Sequence, residues 1–212
     1  MGEDLTAADV AALFRRYAKA VADGKDLLTE LDTAVGDGDH GTNLDRGMKA
    51  AVEALDADTP ATPGAVFNVV GRRLVSTVGG ASGALYGTAF LRAATASGDA
   101  PALSAEQVAA ALRQATDGIA ARGKCAAGDK TMYDVWLAAT EAVESAVAGG
   151  AGLAAGLAAG AVAAAETVPR MVPWQARRGR ASYLGERSVG HRDPGAVSSQ
   201  VLFECLAAQA TA

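Results

Sequence analysis

The chain has 212 residues, half of them hydrophobic but only 5% aromatic, and a formal charge of −5 from 24 acidic against 19 basic side chains. That length buries a substantial core and reads as one domain over residues 1–212, while the acidic balance argues against a general affinity for nucleic acid or an anionic membrane. Two cysteines, Cys125 and Cys205, are too few for a disulfide framework, and the opening MGEDLTAADV lacks the basic and apolar regions of a signal peptide, so a reducing, cytoplasmic setting is expected.

Helical periodicity dominates, and runs rich in Val, Ile and Thr are missing. A first helix begins near Thr6, lines up Val10, Leu13, Phe14, Tyr17 and Val21 on one face, and stops at Gly24. A short second helix, 25–33, leads into the stretch TELDTAVGDGDHGTN. Asp32, Asp37 and Asp39 fall within eight residues there, and Gly36, Gly38 and Gly41 between and beside them let the backbone fold back sharply. Carboxylates so close repel one another unless something positive sits between them, and hard oxygen ligands with no cysteine nearby favour Mg²⁺ over zinc. A solvated acidic turn is the rival reading. Two motif matches in this stretch fail. Residues 36–41 fit G-x-G-x-x-G, but a helix precedes them rather than a strand, and acidic side chains would repel a bare pyrophosphate. Asp37 and Asp39 imitate the start of an EF-hand loop whose twelfth position is Met48 instead of a glutamate.

Thr42 or Asn43 can cap a third helix running to about residue 55, after which DADTPATPG breaks the chain. A fourth helix covers 66–78, GGASG at 79–83 interrupts, and a fifth covers 85–96. Ser104 with Gln107 makes a capping box for a sixth helix ending at Gly123. Beyond the loop 124–130 a seventh runs 131–148. The Ala/Gly tract 146–168, with its local repeat GLAAGLAAG, has the length of a membrane span but reads as a tightly packed eighth helix stopped by Pro169 and Pro173. ARRGRASYLGERSVGHRDPGA then carries five arginines and no hydrophobic period, the marks of a functional or disordered loop. Asp193-Pro194 offers an N-cap and a first-turn proline for a closing helix, 197–208. Short connections imply antiparallel neighbours, hence an all-α bundle or barrel.

Four loops, 37–43, 79–83, 123–131 and 180–195, are rich in Gly, Ser, Thr or Asn and sit at helix ends. Gathered at one end of the bundle they would cradle phosphates beside a metal; singly, each glycine merely ends a helix. GKCAAGDKT at 123–131 misses the P-loop pattern by Asp129 and lacks a preceding strand, which leaves Lys130 as a first-turn surface lysine. Ser82 and Thr131 are capping residues by default. Among the loop arginines Arg180 is the favoured phosphate ligand, because a guanidinium holds two oxygens at once, with Arg177, Arg178, Arg187 and Arg192 as rivals. For His40 and His191, the only histidines, catalysis, ligand contact and plain exposure are equally open. Met132, Tyr133 and Trp136 read as core, although a thioether at a loop mouth also suits a purine face.

Together LDTAVGDGDHGTNLDRG, VGGASGALYGTAF, AAGDKTMYDVW and GRASYLGERSVGHRDPGA resemble the nucleotide-binding L subunit of bacterial dihydroxyacetone kinase. The likeness covers essentially the whole chain and gains its specificity from four motifs in combination. It implies a barrel of eight antiparallel helices with the nucleotide site in loops at one end. It also implies that Asp32, Asp37 and Asp39 ligate a pair of Mg²⁺ ions, and that His40, Gly41, Thr42, Asn43, Ala81 and Ser82 contact phosphates or ribose. Gly123 and Met132 would border the adenine, and Arg180, Asp193, Pro194 and Gly195 would complete the site, with Arg180 the catalytic cation. In the phosphotransferase-system branch of this family, ADP stays bound as a coenzyme and is recharged to ATP by a phosphohistidine partner, the M subunit. The γ-phosphoryl then passes to dihydroxyacetone held on a histidine of the K subunit. A chain that starts at Met1 with no substrate domain before it resembles that branch more than the long ATP-dependent kinases. The alternatives are an ATP-dependent kinase half paired with a separate substrate subunit, or a nucleotide-sensing regulatory module. A homodimer is compatible with the sequence.

Overall fold

The computed structural model describes residues 4–58 and 60–210; Thr59, inside the expected break at DADTPATPG, lies outside them. The described helices are α1 (Ala7–Asp23), α2 (Lys25–Val35), α3 (His40–Ala57), α4 (Pro63–Thr77), α5 (Gly80–Ser97), α6 (Ala105–Gly123), α7 (Met132–Ala148), α8 (Leu153–Met171) and α9 (Pro194–Ala210). Eight of them pack in a ring in chain order, α1 on α3, then α4 through α9 in turn, with α9 closing back on α1. Helix α2 stands outside this order and packs on α3 and α9. The all-α barrel expected from the sequence is therefore the observed fold.

The local signals behind α1 are visible in its first turn. Thr6 accepts from the Asp9 amide while Asp9 accepts from the Thr6 amide, a reciprocal cap, which stabilises a helix start by about 1 kcal/mol. The 3.6-residue spacing then buries Val10, Leu13, Phe14, Tyr17 and Val21 on one face. That face meets an aromatic centre containing all four phenylalanines. Phe14 meets Phe90 at 4.9 Å and Trp136 meets Phe203 at 5.2 Å between centroids, both edge-on, the arrangement that ring quadrupoles favour. Burial of each such ring contributes about 1.5–3 kcal/mol.

Where aromatics are scarce, glycine lets the helices draw close. A Cβ on Gly160 would stand 2.7 Å from Val143 Cγ2 and 3.2 Å from the Ala139 carbonyl oxygen. Gly156 and Gly160 of the GLAAGLAAG repeat thus lie on α7, and their spacing of four keeps them on one stripe while Ala154, Ala155 and Ala158 face outward.

Several expected boundaries move, each for a physical reason. The Ala/Gly tract is not one helix over 146–168: α7 ends at Ala148, Gly149 and Gly150 turn the chain, and α8 begins at Leu153. Pro169 does not stop α8 but sits inside its last turn, where the missing N–H costs a single ladder bond. Among the described residues no helix is long and apolar enough to cross a membrane. Neither Thr42 nor Asn43 caps α3, which starts earlier, at His40, because a carboxylate from α2 caps it from outside. GGASG is the first turn of α5 rather than an interrupting loop. Residues Arg180–Ser188 form a 3-10 helix kinked at Gly185, where the periodicity offered only a loop. Two-residue strands, β1 (Leu5–Thr6) and β2 (Ala102–Leu103), pair antiparallel, an element too short to leave a sequence signal.

Candidate functional site

The acidic stretch folds as a tight exit from α2. A side chain on Gly36 would overlap Asp32 Oδ1, so only glycine fits there, and Gly38 takes a φ of 73°. This turn brings one carboxylate oxygen each from Asp32, Asp37 and Asp39 to within 4.8 Å of one another. Asp32 is buried, Asp39 partly buried and Asp37 exposed. Asp32 Oδ2 accepts from the amides of Asp39, at 2.8 Å, and His40, at 3.0 Å, which orients the carboxylate and leaves Oδ1 for a cation. Arg180 Nη2 pairs with Asp37 Oδ2 at 2.8 Å, so a guanidinium already answers part of the charge. Three oxygen donors with no thiolate or free imidazole among them fit a hard divalent cation such as Mg²⁺.

His40 is not a further donor, since both ring nitrogens are engaged. Nδ1 is bonded to Ser82 Oγ at 2.8 Å and Nε2 to Ser198 Oγ at 2.9 Å. Burial lowers its pKa to about 4, with the Asp32 charge opposing, and the ring is neutral at pH 7. The network continues inward from Ser198 to the Tyr86 hydroxyl at 2.8 Å, then to Ser199 and Trp136 Nε1, tying the site to the barrel core. His191, by contrast, is exposed.

A cleft of about 480 Å³ opens beside the aspartates, within the range of small-molecule sites. Its walls come from the acidic turn, the first turn of α5 with Ala81 and Ser82, the end of α6 with Gly123, and Met132 on α7. Arg180 and the run Asp193, Pro194 and Gly195 complete them. The four loops singled out by composition therefore gather at one end of the barrel. Gly41, Thr42 and Asn43 do not line the cleft. Because α3 starts at His40, Gly41 is buried against the Lys25 carbonyl and Thr29, Thr42 is exposed, and Asn43 Oδ1 accepts from Arg46 Nη2 at 2.7 Å.

The helix N-termini around the cleft are unequal. Asp32 takes amides at α3, Thr131 takes the Tyr133 amide at α7, and Asp193 takes the Ala196 amide at α9. Helix α5, whose N-cap is Gly79, has no side-chain cap, so its first-turn amides can meet an anion.

Three residues of this region escape sequence reasoning. Lys130 is not a surface lysine: it is 2% exposed, has a φ of 61°, and donates from Nζ to the carbonyls of Val172, Trp174 and Ser188. Asp134 closes the preceding loop by accepting from the Gly128 and Thr131 amides. Ser198 links His40 to Tyr86; a Ser-Ser pair on the buried side of α9 was the available signal.

Asp193 carries the largest carboxyl shift at the cleft. Burial pushes it up to about 7, and Asp134 and Asp32 add to the rise against the Ala196 amide and Lys130. An unfolded aspartate loses its proton at about pH 4, so between those values the folded state holds more protons and stability falls as pH rises. Asp193→Asn keeps a capping oxygen and removes the titration. Urea midpoints of the metal-free protein at pH 5 and pH 8 should differ less in this variant than in the wild type; equal differences would contradict the assignment.

The fold and the cleft define a class: an all-helical barrel presenting, at one end, a carboxylate cluster suited to a divalent cation beside an uncapped helix start suited to phosphate. Residues 34–208 match the DAK2 domain, and the chain belongs to that family. It is 42% identical over 182 residues to the PEP-dependent dihydroxyacetone kinase, ADP-binding subunit DhaL of Escherichia coli (strain K12), covering 86% of this chain and 87% of the relative. The PTS-dependent dihydroxyacetone kinase, ADP-binding subunit DhaL of Lactococcus lactis is 37% identical over 191 residues, 90% of this chain and 91% of the relative. The crystal structure of the dihydroxyacetone kinase of C. freundii in its native form matches with a TM-score of 0.71 and 25% identity over 94% of this chain, which spans 34% of that longer one. The same kinase in complex with AMP-PNP and Mg²⁺ shares the fold at a TM-score of 0.69 and 24% identity, covering 94% of this chain and 33% of that one.

Proposed function

We propose that this chain is the ADP-binding, phosphoryl-transferring subunit of a PTS-dependent dihydroxyacetone kinase, acting as one L-type unit over residues 1–212. The observation that carries the reading is the convergence of Asp32, Asp37 and Asp39 with Arg180 at the mouth of a nucleotide-sized cleft. Coverage of 87% and 91% of two relatives named as ADP-binding subunits supports it.

In this reading the three aspartates hold two Mg²⁺ ions, which when bound neutralise charge on the phosphates. The first-turn amides of α5 at Ala81 and Ser82 take phosphate oxygens, with neutral His40 fixing the Ser82 hydroxyl. Met132 and Gly123 flank the purine, and Asp193, Pro194 and Gly195 form the opposite wall. Arg180, now paired with Asp37, extends to the transferred phosphoryl as charge spreads over its oxygens. The K subunit brings dihydroxyacetone and the M subunit the phosphohistidine, in the cytoplasm, where the free thiols of Cys125 and Cys205 are at home.

An ATP-dependent kinase half is the second reading. It is favoured by 36% identity to the D-erythrulose kinase of Mycolicibacterium smegmatis, of which this chain covers 33%. Acid release of small molecules from the purified native protein separates the two. A coenzyme role gives near-stoichiometric ADP and no turnover on free ATP without the phosphohistidine donor. Turnover on ATP alone selects the second reading, and neither ADP nor turnover refutes both.

A further inference from the structure

The segment that carries Arg180 has little to hold it by burial. Its apolar anchorage is Trp174, partly buried against the main core at the entering end, and a small cluster of Ala176 and Ala181 with Val35, flanked by Leu184; its remaining side chains are largely charged or small. What closes it is polar. The Gly190 amide donates to the Val172 carbonyl at 2.9 Å, the Arg177 amide to the Asp129 carbonyl at 3.0 Å, and the Ala176 amide to Ser188 Oγ at 2.9 Å. At the centre stands the Lys130 ammonium, donating to Val172 and Trp174 on the entering side, at 3.1 and 2.8 Å, and to Ser188 on the leaving side, at 2.7 Å. All three of its protons are thereby used. The left-handed backbone at Lys130 turns the side chain inward, a conformation a non-glycine residue keeps only where its surroundings enforce it.

We propose that Lys130 is a positioning residue for phosphoryl transfer: by tying both ends of the segment 172–188 together it holds Arg180 over the acidic cluster. The inference rests on the reading of Arg180 given above. A lysine that merely stabilised the barrel would share the same burial, so the test must separate action through Arg180 from general loss of structure.

Lys130→Met and Arg180→Ala are made singly and together in the full chain, with far-UV circular dichroism confirming folding. Hydrogen exchange is followed in the nucleotide-free protein, and phosphoryl transfer in the presence of the dihydroxyacetone-binding partner and the phosphohistidine donor. Lys130→Met should speed exchange at the Ala176, Arg177 and Gly190 amides at least about tenfold while the barrel helices stay protected. Transfer should fall about ten- to a hundredfold, the scale on which misplacing a catalytic group by an ångström acts. In the Arg180→Ala background the lysine change should cost less than about twofold more, because the group it positions is already gone. Multiplying losses, or unchanged exchange, would overturn the proposal. If Arg180→Ala alone transfers at the wild-type rate, the reading of Arg180 falls and takes the proposal with it, an outcome distinct from the other two. Should Lys130→Met not fold, Ser188→Ala answers the same question. It removes the hydroxyl's bonds to the Ala176 amide and the Gly185 carbonyl, and its loss must likewise vanish without Arg180.

Discussion

Asp37→Ala should lower phosphoryl transfer at least about a hundredfold and release bound nucleotide in the same step. The expectation follows from charge. Three carboxylate oxygens lie within 4.8 Å of each other, and removing one deprives a divalent ion of a hard ligand it cannot replace from a neighbouring cysteine or from His40, whose nitrogens are both engaged. If the ion bridges protein and phosphates, nucleotide affinity falls with metal affinity. Stability should change little, since Asp37 is exposed and its ion pair with Arg180 is of the solvent-facing kind worth about 0–1 kcal/mol. Calorimetric titration with Mg²⁺ and ADP, set beside thermal unfolding, checks both halves. Lost metal binding with unaltered ADP affinity would count against nucleotide held through the metal.

Arg180→Ala should cost about 10²–10³ in transfer rate, the scale of removing one preorganised group from a developing charge. Its effect should fall on kcat more than on ADP affinity, because the guanidinium is paired with Asp37 and its side chain is 59% exposed, free to follow the phosphoryl. Arg180→Lys should recover only part of the rate: an ammonium restores the charge but not the planar pair of donors. Single-turnover transfer from pre-charged protein isolates the step. A loss confined to nucleotide binding, or none at all, would remove Arg180 from the transfer.

The aspartate cluster was legible because its members are neighbours in the chain. Eight residues with glycines at Gly36 and Gly38 can converge through local backbone geometry alone. Helix limits were legible for the same reason wherever the cap is a nearby side chain, as at Thr6, Ser104 and Thr131. The start of α3 is not legible in its own segment because its cap, Asp32, belongs to another helix. His40 could not be assigned from its polar, glycine-rich setting, since the groups that bind its ring, Ser82 and Ser198, lie 42 and 158 positions away.

The sequence by itself determined the all-helical class, the order of the elements, the acidic cluster and the family resemblance, because periodicity, capping and motif spacing are short-range properties. Only the tertiary structure decided which helix start is left free for an anion, that Gly41, Thr42 and Asn43 stay out of the cleft, and that Lys130 is a buried tether. Each of these depends on which distant group satisfies a donor or acceptor first, and that competition is resolved only when the ring of helices closes and water is excluded from the groups it brings together.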